Sequence, residues 1–376
     1  MRILIGGDFY ITPAFLSKAL INEKVKNLFV HSDFNLINLE CPVIGENRNS
    51  KIQKTGPHIR TDNAIFNYLK QLNIHAVTLA NNHILDYGLE GLQNTLECCR
   101  ENKIQWVGAG TNEKQAAKSL IIDKKDVKIA VVNFCENEWS VATSNRGGAN
   151  PMNFIDNYKQ IQSAKEAADF VIAIVHGGHE YYPLPSPRMV KQYRFYANLG
   201  ADAVIGHHTH CISGYEIYEN VPIVYSLGNF LFTLDNEREA WYNGLIAQLQ
   251  IEKNKPVQLE LIPLKQDRKT FNLSLLEGNE KEQTLKEVEN LSEVIKDNNK
   301  LQRKWEEYCK KNEKIVDSLS PINYIKNKYL RAILKRSGIN RILLNKNYLK
   351  SITNRIRCEA HRDLITDILT EKLKDK

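Results

Sequence analysis

The chain has 376 residues, of which 42% are hydrophobic and 25% charged, and a formal net charge of +7 at pH 7. This length is typical of two domains, or of one large domain with an appendage, and the composition is that of an ordinary soluble protein. Seven cysteines without C-x-x-C spacing favour neither a disulfide framework nor a thiolate zinc site, and with no leader-like or bilayer-length apolar run we expect a cytoplasmic protein.

The first half of the chain alternates apolar runs with helical patterns. Short apolar runs between turn residues predict buried strands, and apolar residues at three- to four-residue spacing predict the helices. Polar composition predicts an exposed loop at 45–60 and a longer loop at 136–153 that could lie over a site. The predicted strands are 2–7, 34–39, 76–80, 106–107, 128–134, 170–175 and 203–205, and the predicted helices are 14–27, 62–73, 88–102, 157–168 and 187–199.

The pattern changes after residue 212, where short strands follow one another without helices. An αβαβ half followed by a run of strands predicts an α/β protein with two stacked sheets flanked by helices. From about residue 281 the sequence is helical and highly charged. We therefore expect one domain at 1–264 and a basic helical extension at 265–376. The later strands are predicted at 213–219, 222–226, 230–234, 243–251 and 256–264.

Five predicted strands end in residue types that bind metal ions. In α/β sheets the loops at the carboxyl ends of the strands carry the site, so these residues are expected to meet. Carboxylates, an amide oxygen and imidazoles suit Mn²⁺, Zn²⁺ or Fe, and one or two such cations suit displacement at phosphorus. A polar surface turn is the alternative for the histidines, but the recurrence at successive strand ends argues against it. The candidates are Asp8, Glu40, Asn82 with His83, His176, and His208-x-His210.

These motifs, in this order and with natural spacing over roughly residues 1–264, resemble the CapA family of poly-γ-glutamate capsule biosynthesis proteins. That family is related to the calcineurin-like metallophosphoesterases. The resemblance implies a four-layer α/β/β/α sandwich with a two-metal site. The segments that carry it are Gly7-Asp8, Asn38-Leu39-Glu40, Ala80-Asn81-Asn82-His83, Asp86-Tyr87-Gly88, His176-x-Gly178-x-Glu180-Tyr181, Gly200-Ala201-Asp202, Gly206-His207-His208-x-His210 and Ser226-Leu227-Gly228-Asn229-Phe230.

The resemblance also implies a role for each residue. Asp8 would bind the first metal and Glu40 would bridge, in place of the usual aspartate. Asn82 and His176 would bind the second metal, and His208 and His210 would divide between the two.

His83 would be a general acid or a stabiliser of the transferring group. Tyr10 stands where the related phosphoesterases have the histidine of Asp-x-His. That departure leaves open whether this chain holds one cation or two.

Other residues near these motifs have alternative interpretations. His179 and Glu180 either reach the substrate, or support other residues of the site, or form a surface turn. We take Glu180 with His83 as the catalytic candidates. Asp86 fits an N-terminal cap of the next helix better than a catalytic group. The amide of Asn229 either turns into the site or closes a β-turn. His207 could replace His208 as a ligand.

The C-terminal segment is strongly basic. Residues 301–376 carry 19 Lys and Arg against 9 Asp and Glu, whereas the first 300 residues are slightly acidic. Apolar residues interleave with the basic ones between 326 and 362, so the stretch is amphipathic. It could lie on an anionic membrane surface, grip an acidic polymer, or pack as a helical cap. The charge alone would also suit nucleic acid, but no matching module is present, so we expect no nucleic-acid partner.

Two hypotheses of function follow. The first is a metal-dependent hydrolase that acts on a phosphoester, or on an amide of a γ-linked polymer, in capsule or surface-polymer production. The second is a metal-binding component without turnover that binds an anionic polymer or assembles a capsule-synthesis complex, peripherally at the membrane. Tyr10 favours the second hypothesis, whereas Asn82-His83 and His208-x-His210 favour the first.

Overall fold

The computed structural model describes residues 1–45 and 50–374. These residues form two compact units, Met1–Gln302 and Arg303–Lys376. Residues 46–49 of the loop expected at 45–60 lie outside the described part of the chain. None of the helices in the described ranges is long and apolar enough to cross a membrane.

The strands lie where apolar and β-branched residues cluster, and all of them belong to the first unit. Within the described ranges they are β1 Arg2–Tyr10, β2 Phe34–Leu39, β3 Ala76–Thr78, β4 Gln105–Val107, β5 Ala109–Gly110, β6 Leu120–Lys124, β7 Val127–Cys135, β8 Gly148–Ala149, β9 Phe170–His176, β10 Ala203–His207, β11 Tyr215–Tyr218, β12 Val221–Val224, β13 Asn229–Phe232, β14 Asn243–Gln250, β15 Gln258–Gln266 and β16 Leu273–Leu275.

The helices of the described ranges belong to both units, and α8 crosses the boundary between them. They are α1 Glu23–Val30, α2 Ile65–Gln71, α3 Gly88–Glu101, α4 Glu113–Ala116, α5 Phe154–Ala167, α6 Pro187–Asn198, α7 Gly278–Lys296, α8 Asn298–Lys311, α9 Lys328–Arg336, α10 Ile339–Leu343, α11 Lys346–Arg357 and α12 Glu359–Lys374.

Two mixed sheets form the centre of the first unit. The first has the order β16-β15-β14-β1-β2-β3-β4, with β13 also paired to β1, and the second has the order β11-β12-β10-β9-β7-β6. In the first sheet β1, β2, β3 and β4 run parallel. In the second, β7, β9, β10 and β12 run parallel. Each sheet therefore presents a row of strand carboxyl ends, as the sequence predicts.

Alternation along β1 explains how the sheets pack. Ile3 and Ile5 share a buried cluster with Ile172 and Ile174 of β9 in the other sheet. The intervening Leu4 belongs to a second cluster with Phe29 of α1. Successive side chains of a strand point to opposite faces, so one face of β1 meets the partner sheet and the other meets helices.

Helices cover the outer face of both sheets. Buried residues of α1, α2 and α3 pack in the cluster that contains Leu4, and α5 and α6 contact β7, β9 and β10 of the second sheet. The first unit is thus the four-layer α/β/β/α sandwich that the sequence predicts, and helices follow it at the C-terminal end. The fold-class prediction is confirmed.

The first unit continues past residue 264. β15 pairs with β14 and β16, and α7 contacts β11 and β15. Ser292 of α7 accepts a hydrogen bond from the backbone N–H of Tyr215 at 2.9 Å. The domain boundary expected after residue 264 thus falls within β15. That strand extends to Gln266, and β16 follows it in the same sheet.

The helix expected at 14–27 is wrong in position. Residues Pro13–Phe15 form a short 3₁₀ turn, and α1 begins only at Glu23. Asn22 sets that start, since its side chain accepts a hydrogen bond from the backbone N–H of Lys24 at 2.9 Å. An N-cap of this kind satisfies a backbone donor that the first helical turn leaves free.

In the second unit, α9 and α11 are short helices that begin at asparagine caps. Asn327 accepts hydrogen bonds from the backbone N–H groups of Tyr329 and Leu330 at 3.0 and 3.1 Å. Asn345 does the same at the start of α11. Neither helix buries any of its residues. The basic helical segment expected here is confirmed within the described residues.

Candidate metal centre

The strand ends of the two sheets meet at one buried cluster. Asp8 lies near the end of β1, Glu40 directly follows β2, and Asn82 lies in the turn after β3. His176 ends β9 and pairs in register with His207 of β10. The side chains of these residues are all at least nine-tenths buried. Residues far apart in the sequence therefore converge because parallel strands bring their carboxyl ends to one side.

Two ligand triads share one carboxylate. Glu40, His176 and His208 each offer a ligand atom, and these atoms lie within 4.8 Å of one another. Asp8, Glu40 and His210 form a second such group. Glu40 belongs to both, which is the arrangement that a bridging ligand between two cations requires.

Glu40 supplies the test of whether a cation fits. Its side chain is fully buried, and neither carboxylate oxygen has a hydrogen-bond partner among the described residues. Burial and the negative charge of Asp8 raise the pKa of Glu40 well above its usual value. A buried carboxylate without a partner is costly. A divalent cation would remove that cost, so the site fits one.

The distances between the triad imidazoles agree with this interpretation. Nδ1 of His208 lies 3.1 Å from Nε2 of His176, and Oδ1 of Asn82 lies 3.1 Å from the same His176 nitrogen. Ligands that each lie about 2.0–2.2 Å from one ion are separated by about 3 Å. Burial and the neighbouring His208 hold the pKa of His176 well below its usual value. The ring is therefore neutral, which is the form that binds a metal.

Asp8 is held in place by hydrogen bonds to both of its oxygens. The Nδ2 group of Asn38 donates to Oδ1 at 2.7 Å, and the backbone N–H of His208 donates to Oδ2 at 3.1 Å. Burial tends to raise the pKa of Asp8, but the nearby His207 and His176 outweigh it and hold that pKa below its usual range. Asp8 is therefore an ionised carboxylate, ready to bind a cation.

The loop after β10 turns sharply at two histidines. His208 and His210 have φ angles of 92° and 53°, in the left-handed region that non-glycine residues rarely adopt. This turn brings both rings to the cluster, as the His-x-His spacing predicts. Strained backbone of this kind costs of order 1–3 kcal/mol per residue and is typical of functional sites.

Asn229 orients His210. Nδ1 of His210 donates to Oδ1 of Asn229 at 2.9 Å, and the Nδ2 group of Asn229 donates to the backbone carbonyl of Trp241 at 2.9 Å. Nε2 of His210 then faces Glu40 Oε1 at 3.6 Å. Metal-binding histidines commonly bond their second ring nitrogen in this way. Of the two interpretations of Asn229, the amide turned toward the site is the one observed.

His83 lies beside the triads without belonging to either. Its Nδ1 donates to Oδ2 of Asp86 at 2.7 Å, and its Nε2 lies 4.0 Å from Oε1 of Glu40. Burial lowers the pKa of His83, although Asp86 opposes that shift. Nε2 is therefore the ring nitrogen that faces the cluster.

The expectation that Asp86 caps a helix is wrong. The N-cap residue of α3 is Tyr87, and no side chain caps that helix. Asp86 instead accepts hydrogen bonds from His83 and from the backbone N–H of Ile59, at 2.7 and 2.8 Å. Asp86 therefore binds residues of the site and does not cap the helix.

Lys54 is a residue that sequence reasoning missed. It forms an ion pair with Oδ1 of Asp86, and only 3% of its side chain is exposed. The surrounding polar segment predicts an exposed loop, and no periodicity marks this lysine. The only available signal was a buried Asp86 that would need a cation, and that burial is not evident from sequence.

Asn38 is part of a motif quoted from the sequence but received no role there, although a signal for one exists. It interrupts the apolar run of β2 and donates to Asp8, while its Nδ2 lies 3.2 Å from Nδ1 of His176. A polar residue inside a buried strand must find a partner. The long loop after β7 also reaches the site, because Ser140 donates to the backbone carbonyl of Asn82 at 2.6 Å.

Tyr10 takes no part in the cluster. Its buried ring packs 5.0 Å from the ring of Phe232. His207 lies near Asp8 instead, with Nδ1 3.5 Å from Asp8 Oδ1, and neither of its ring nitrogens has a hydrogen-bond partner among the described residues. The structure therefore places both His207 and His208 at the site, but only His208 belongs to a triad.

Glu180 lies apart from the other predicted site residues. It is exposed, in the turn after β9, and belongs to neither triad. Its negative charge contributes to the raised pKa of Glu40, and His179 beside it is half-buried. Glu180 is thus an exposed residue at the rim, outside both triads.

Comparisons with known proteins give one family. The model for the bacterial capsule synthesis protein PGA_cap matches residues 7–234. The chain is 30% identical to the capsule biosynthesis protein CapA of Bacillus anthracis over 241 residues, 62% of this chain and 58% of the relative. It is 31% identical to the PGA biosynthesis protein CapA of Bacillus subtilis (strain 168) over 247 residues, 65% of this chain and 64% of the relative.

The matched segments therefore span less than two thirds of the length of these two relatives. Among solved structures, a 5'-nucleotidase precursor from Thermus thermophilus superposes with a TM-score of 0.39 and 10% identity, over 69% of this chain and 54% of that one.

Proposed function

This chain belongs to the bacterial capsule synthesis protein family PGA_cap, and from that membership we propose that it is a metal-dependent hydrolase acting in the production of capsule or another surface polymer. The observation that carries the proposal is Glu40, a buried carboxylate without hydrogen-bond partners that two triads share. A purely structural cluster would have no reason to leave this group unpaired.

The proposed ligands are those named from the sequence. Asp8, Glu40 and His210 would hold one cation, and Glu40 with His176 and His208 would hold the other, assisted by the Asn82 amide oxygen. Mn²⁺, Zn²⁺ and Fe are the metals that this donor set suits. When bound, such cations polarise a phosphoryl or carbonyl oxygen and lower the pKa of water.

The remaining residues would position the substrate and move protons. Because Nδ1–H of His83 donates to Asp86, Nε2 is the atom that faces the cluster; it would first take up a proton, with Asp86 stabilising the imidazolium, and then give that proton to the departing oxygen or bind the transferring group as a cation. Glu180, at the rim, would contact the substrate outside the cation cluster. The substrate class we propose is a phosphoester, or an amide of an anionic γ-linked polymer.

A second candidate is a metal-binding component without turnover that binds an anionic polymer or assembles a capsule-synthesis complex. The position of Tyr10 favours it, because its ring packs in the core instead of supplying a ligand on the Asp8 side. His207 beside Asp8 favours the hydrolase, since it offers an imidazole at that side.

Metal content and hydrolysis of p-nitrophenyl phosphate with Mn²⁺ test the two candidates. We expect His83→Ala to retain the metal and lose activity by about 10²–10⁴-fold, the usual contribution of a proton-transfer group. His31→Ala, at an exposed histidine outside the site, is the matched control and should behave as the wild type. Tightly bound metal with no turnover on phosphoesters or on a γ-linked polyglutamate would favour the second candidate instead.

A further inference from the structure

The segment 326–358 is helical, and all of its charged side chains are basic. It carries ten basic residues and no Asp or Glu. Its helices are α9, α10 and α11. Clusters of Lys and Arg on amphipathic helices are typical of surfaces that bind anionic lipid headgroups. The basic residues are Lys326, Lys328, Arg331, Lys335, Arg336, Arg341, Lys346, Lys350, Arg355 and Arg357.

The same segment exposes large apolar side chains. Tyr329 is 71% exposed, Ile333 63%, Ile342 70% and Ile356 59%. Tyr329 and Ile333 are four residues apart on α9 and therefore share one face of that helix. A helix that packs as a structural cap would bury such residues, yet α9 and α11 bury none.

We infer that the segment 326–358 is a docking surface for an anionic lipid bilayer. An acidic polymer in solution would neutralise the Lys and Arg but leave Tyr329, Ile333 and Ile342 in water. A bilayer surface satisfies both features, because apolar side chains enter the acyl boundary while Lys and Arg reach the headgroups. The charge and the exposed apolar area together therefore favour lipid over a soluble polyanion.

Flotation of the full-length protein with vesicles tests this inference. We expect binding to phosphatidylcholine vesicles that contain phosphatidylglycerol, at about 0.15 M salt, and none to pure phosphatidylcholine. Lys328→Gln, Lys335→Gln and Arg336→Gln combined should weaken binding by about a hundredfold, since each basic residue near the surface contributes about 1 kcal/mol and about 1.4 kcal/mol corresponds to a tenfold change. The matched control removes three exposed lysines elsewhere, Lys253, Lys281 and Lys286, and should bind as the wild type.

A second measurement separates insertion from electrostatic adsorption. Tyr329→Trp places a fluorophore at an exposed position of α9. Its emission, taken as the difference from the wild type with its four tryptophans, should shift to shorter wavelength and be quenched by brominated lipid. Ile333→Ser with Ile342→Ser should abolish that quenching. Circular dichroism of each variant checks that the helices remain.

Three results would overturn the inference. In the first, the wild type does not bind the vesicles. In the second, the variant with Ile333→Ser and Ile342→Ser binds as well as the wild type. In the third, soluble polyglutamate displaces the protein completely and the tryptophan at position 329 is not quenched. The last result would make an acidic polymer the partner of this segment. None of them bears on the metal centre, so this inference and the proposed function fail independently.

Discussion

Glu40 is the residue on which the chemistry of the site depends most directly. Its Oε1 lies 3.6 Å from His210 Nε2 and 3.7 Å from His176 Nε2, yet neither carboxylate oxygen accepts a hydrogen bond within the described residues. The neutral imidazoles around it cannot balance a negative charge, which agrees with its raised pKa. The residue thus links the stability of the first unit to occupancy by a cation.

Removal of metal should therefore destabilise the wild type but not a Glu40→Gln variant. A ligand present at 100 times its Kd contributes about 2.7 kcal/mol to folding, so chelation should lower the wild-type Tm by several degrees. The amide of the variant keeps the shape of the side chain and loses the charge that holds the cation. Its Tm, measured by scanning calorimetry with and without EDTA, should hardly change. Glu101→Gln, at an exposed carboxylate, should respond as the wild type, and an equal EDTA response in Glu40→Gln would contradict the assignment.

Lys54 and Asp86 form a buried ion pair, and substitutions of the two residues should have strongly non-additive effects on stability. Their side chains are 3% and 0% exposed. Lys54→Met would leave Asp86 as a buried charge without its cation, and such a loss costs about 3–5 kcal/mol. Adding Asp86→Asn should recover much of that loss, as a double-mutant cycle in urea would measure.

The exposed pair of Lys165 and Asp202 is the control for that cycle. Its side chains are 43% and 27% exposed, so Lys165→Met should change the free energy of unfolding by less than about 1 kcal/mol. A Lys54→Met protein as stable as the wild type would show that the buried pair contributes nothing.

At the scale of elements, a close backbone contact between β1 and the loop before β13 fixes the position of Asp8. The backbone N–H of Asp8 donates to the carbonyl of Gly228 at 3.0 Å. A Cβ atom on Gly7 would lie 2.0 Å from that same oxygen. Only glycine allows this approach, so the sequence Gly7-Asp8 is a geometric requirement of the site.

Gly7→Ala should therefore displace the 226–229 loop and loosen the metal centre. We expect a loss of about 1–3 kcal/mol in the free energy of unfolding, the usual cost of forced overpacking, together with a lower metal content. Urea denaturation and elemental analysis measure the two effects. Gly45→Ala is the control, because a Cβ there meets no described residue within 4 Å. Wild-type stability and metal content in Gly7→Ala would refute the requirement.

The elements also show what the sequence could predict and where it could not. Strand ends at Asp8, Glu40 and His176 were predictable, because apolar runs mark buried strands and parallel strands share one carboxyl edge. Lys54 was not predictable, because it lies in a loop whose sequence has no periodicity, and its partner Asp86 lies in a separate turn. The start of α1 was missed, since the apolar spacing before Asn22 also fits the 3₁₀ turn that the chain forms. Contacts set by loop geometry thus remain outside pattern reasoning.

At the scale of the whole molecule, the family match covers 7–234 and stops well before the basic segment. The first unit, Met1–Gln302, holds every residue of the metal centre. The second unit holds the proposed docking surface. The two proposals therefore concern different compact units, and a measurement that resolves both units within one intact chain can test their independence.

Hydrogen exchange read by mass spectrometry is that measurement. Amides of α9 and α11 should exchange fast, because neither helix buries a residue, whereas β1 and β9 lie in the buried core and should be protected. Anionic vesicles should slow exchange in 328–357 and leave 206–210 unchanged, while chelation should speed exchange in 206–210 and 226–229 and leave 328–357 unchanged. The strained turn at His208 and His210 explains the second response, since a cation would help to hold a backbone that is costly by itself. If chelation altered hydrogen exchange in 328–357, or if vesicles altered it in 206–210, the two units would be energetically coupled. The separation of roles argued from their charge and burial would then be wrong.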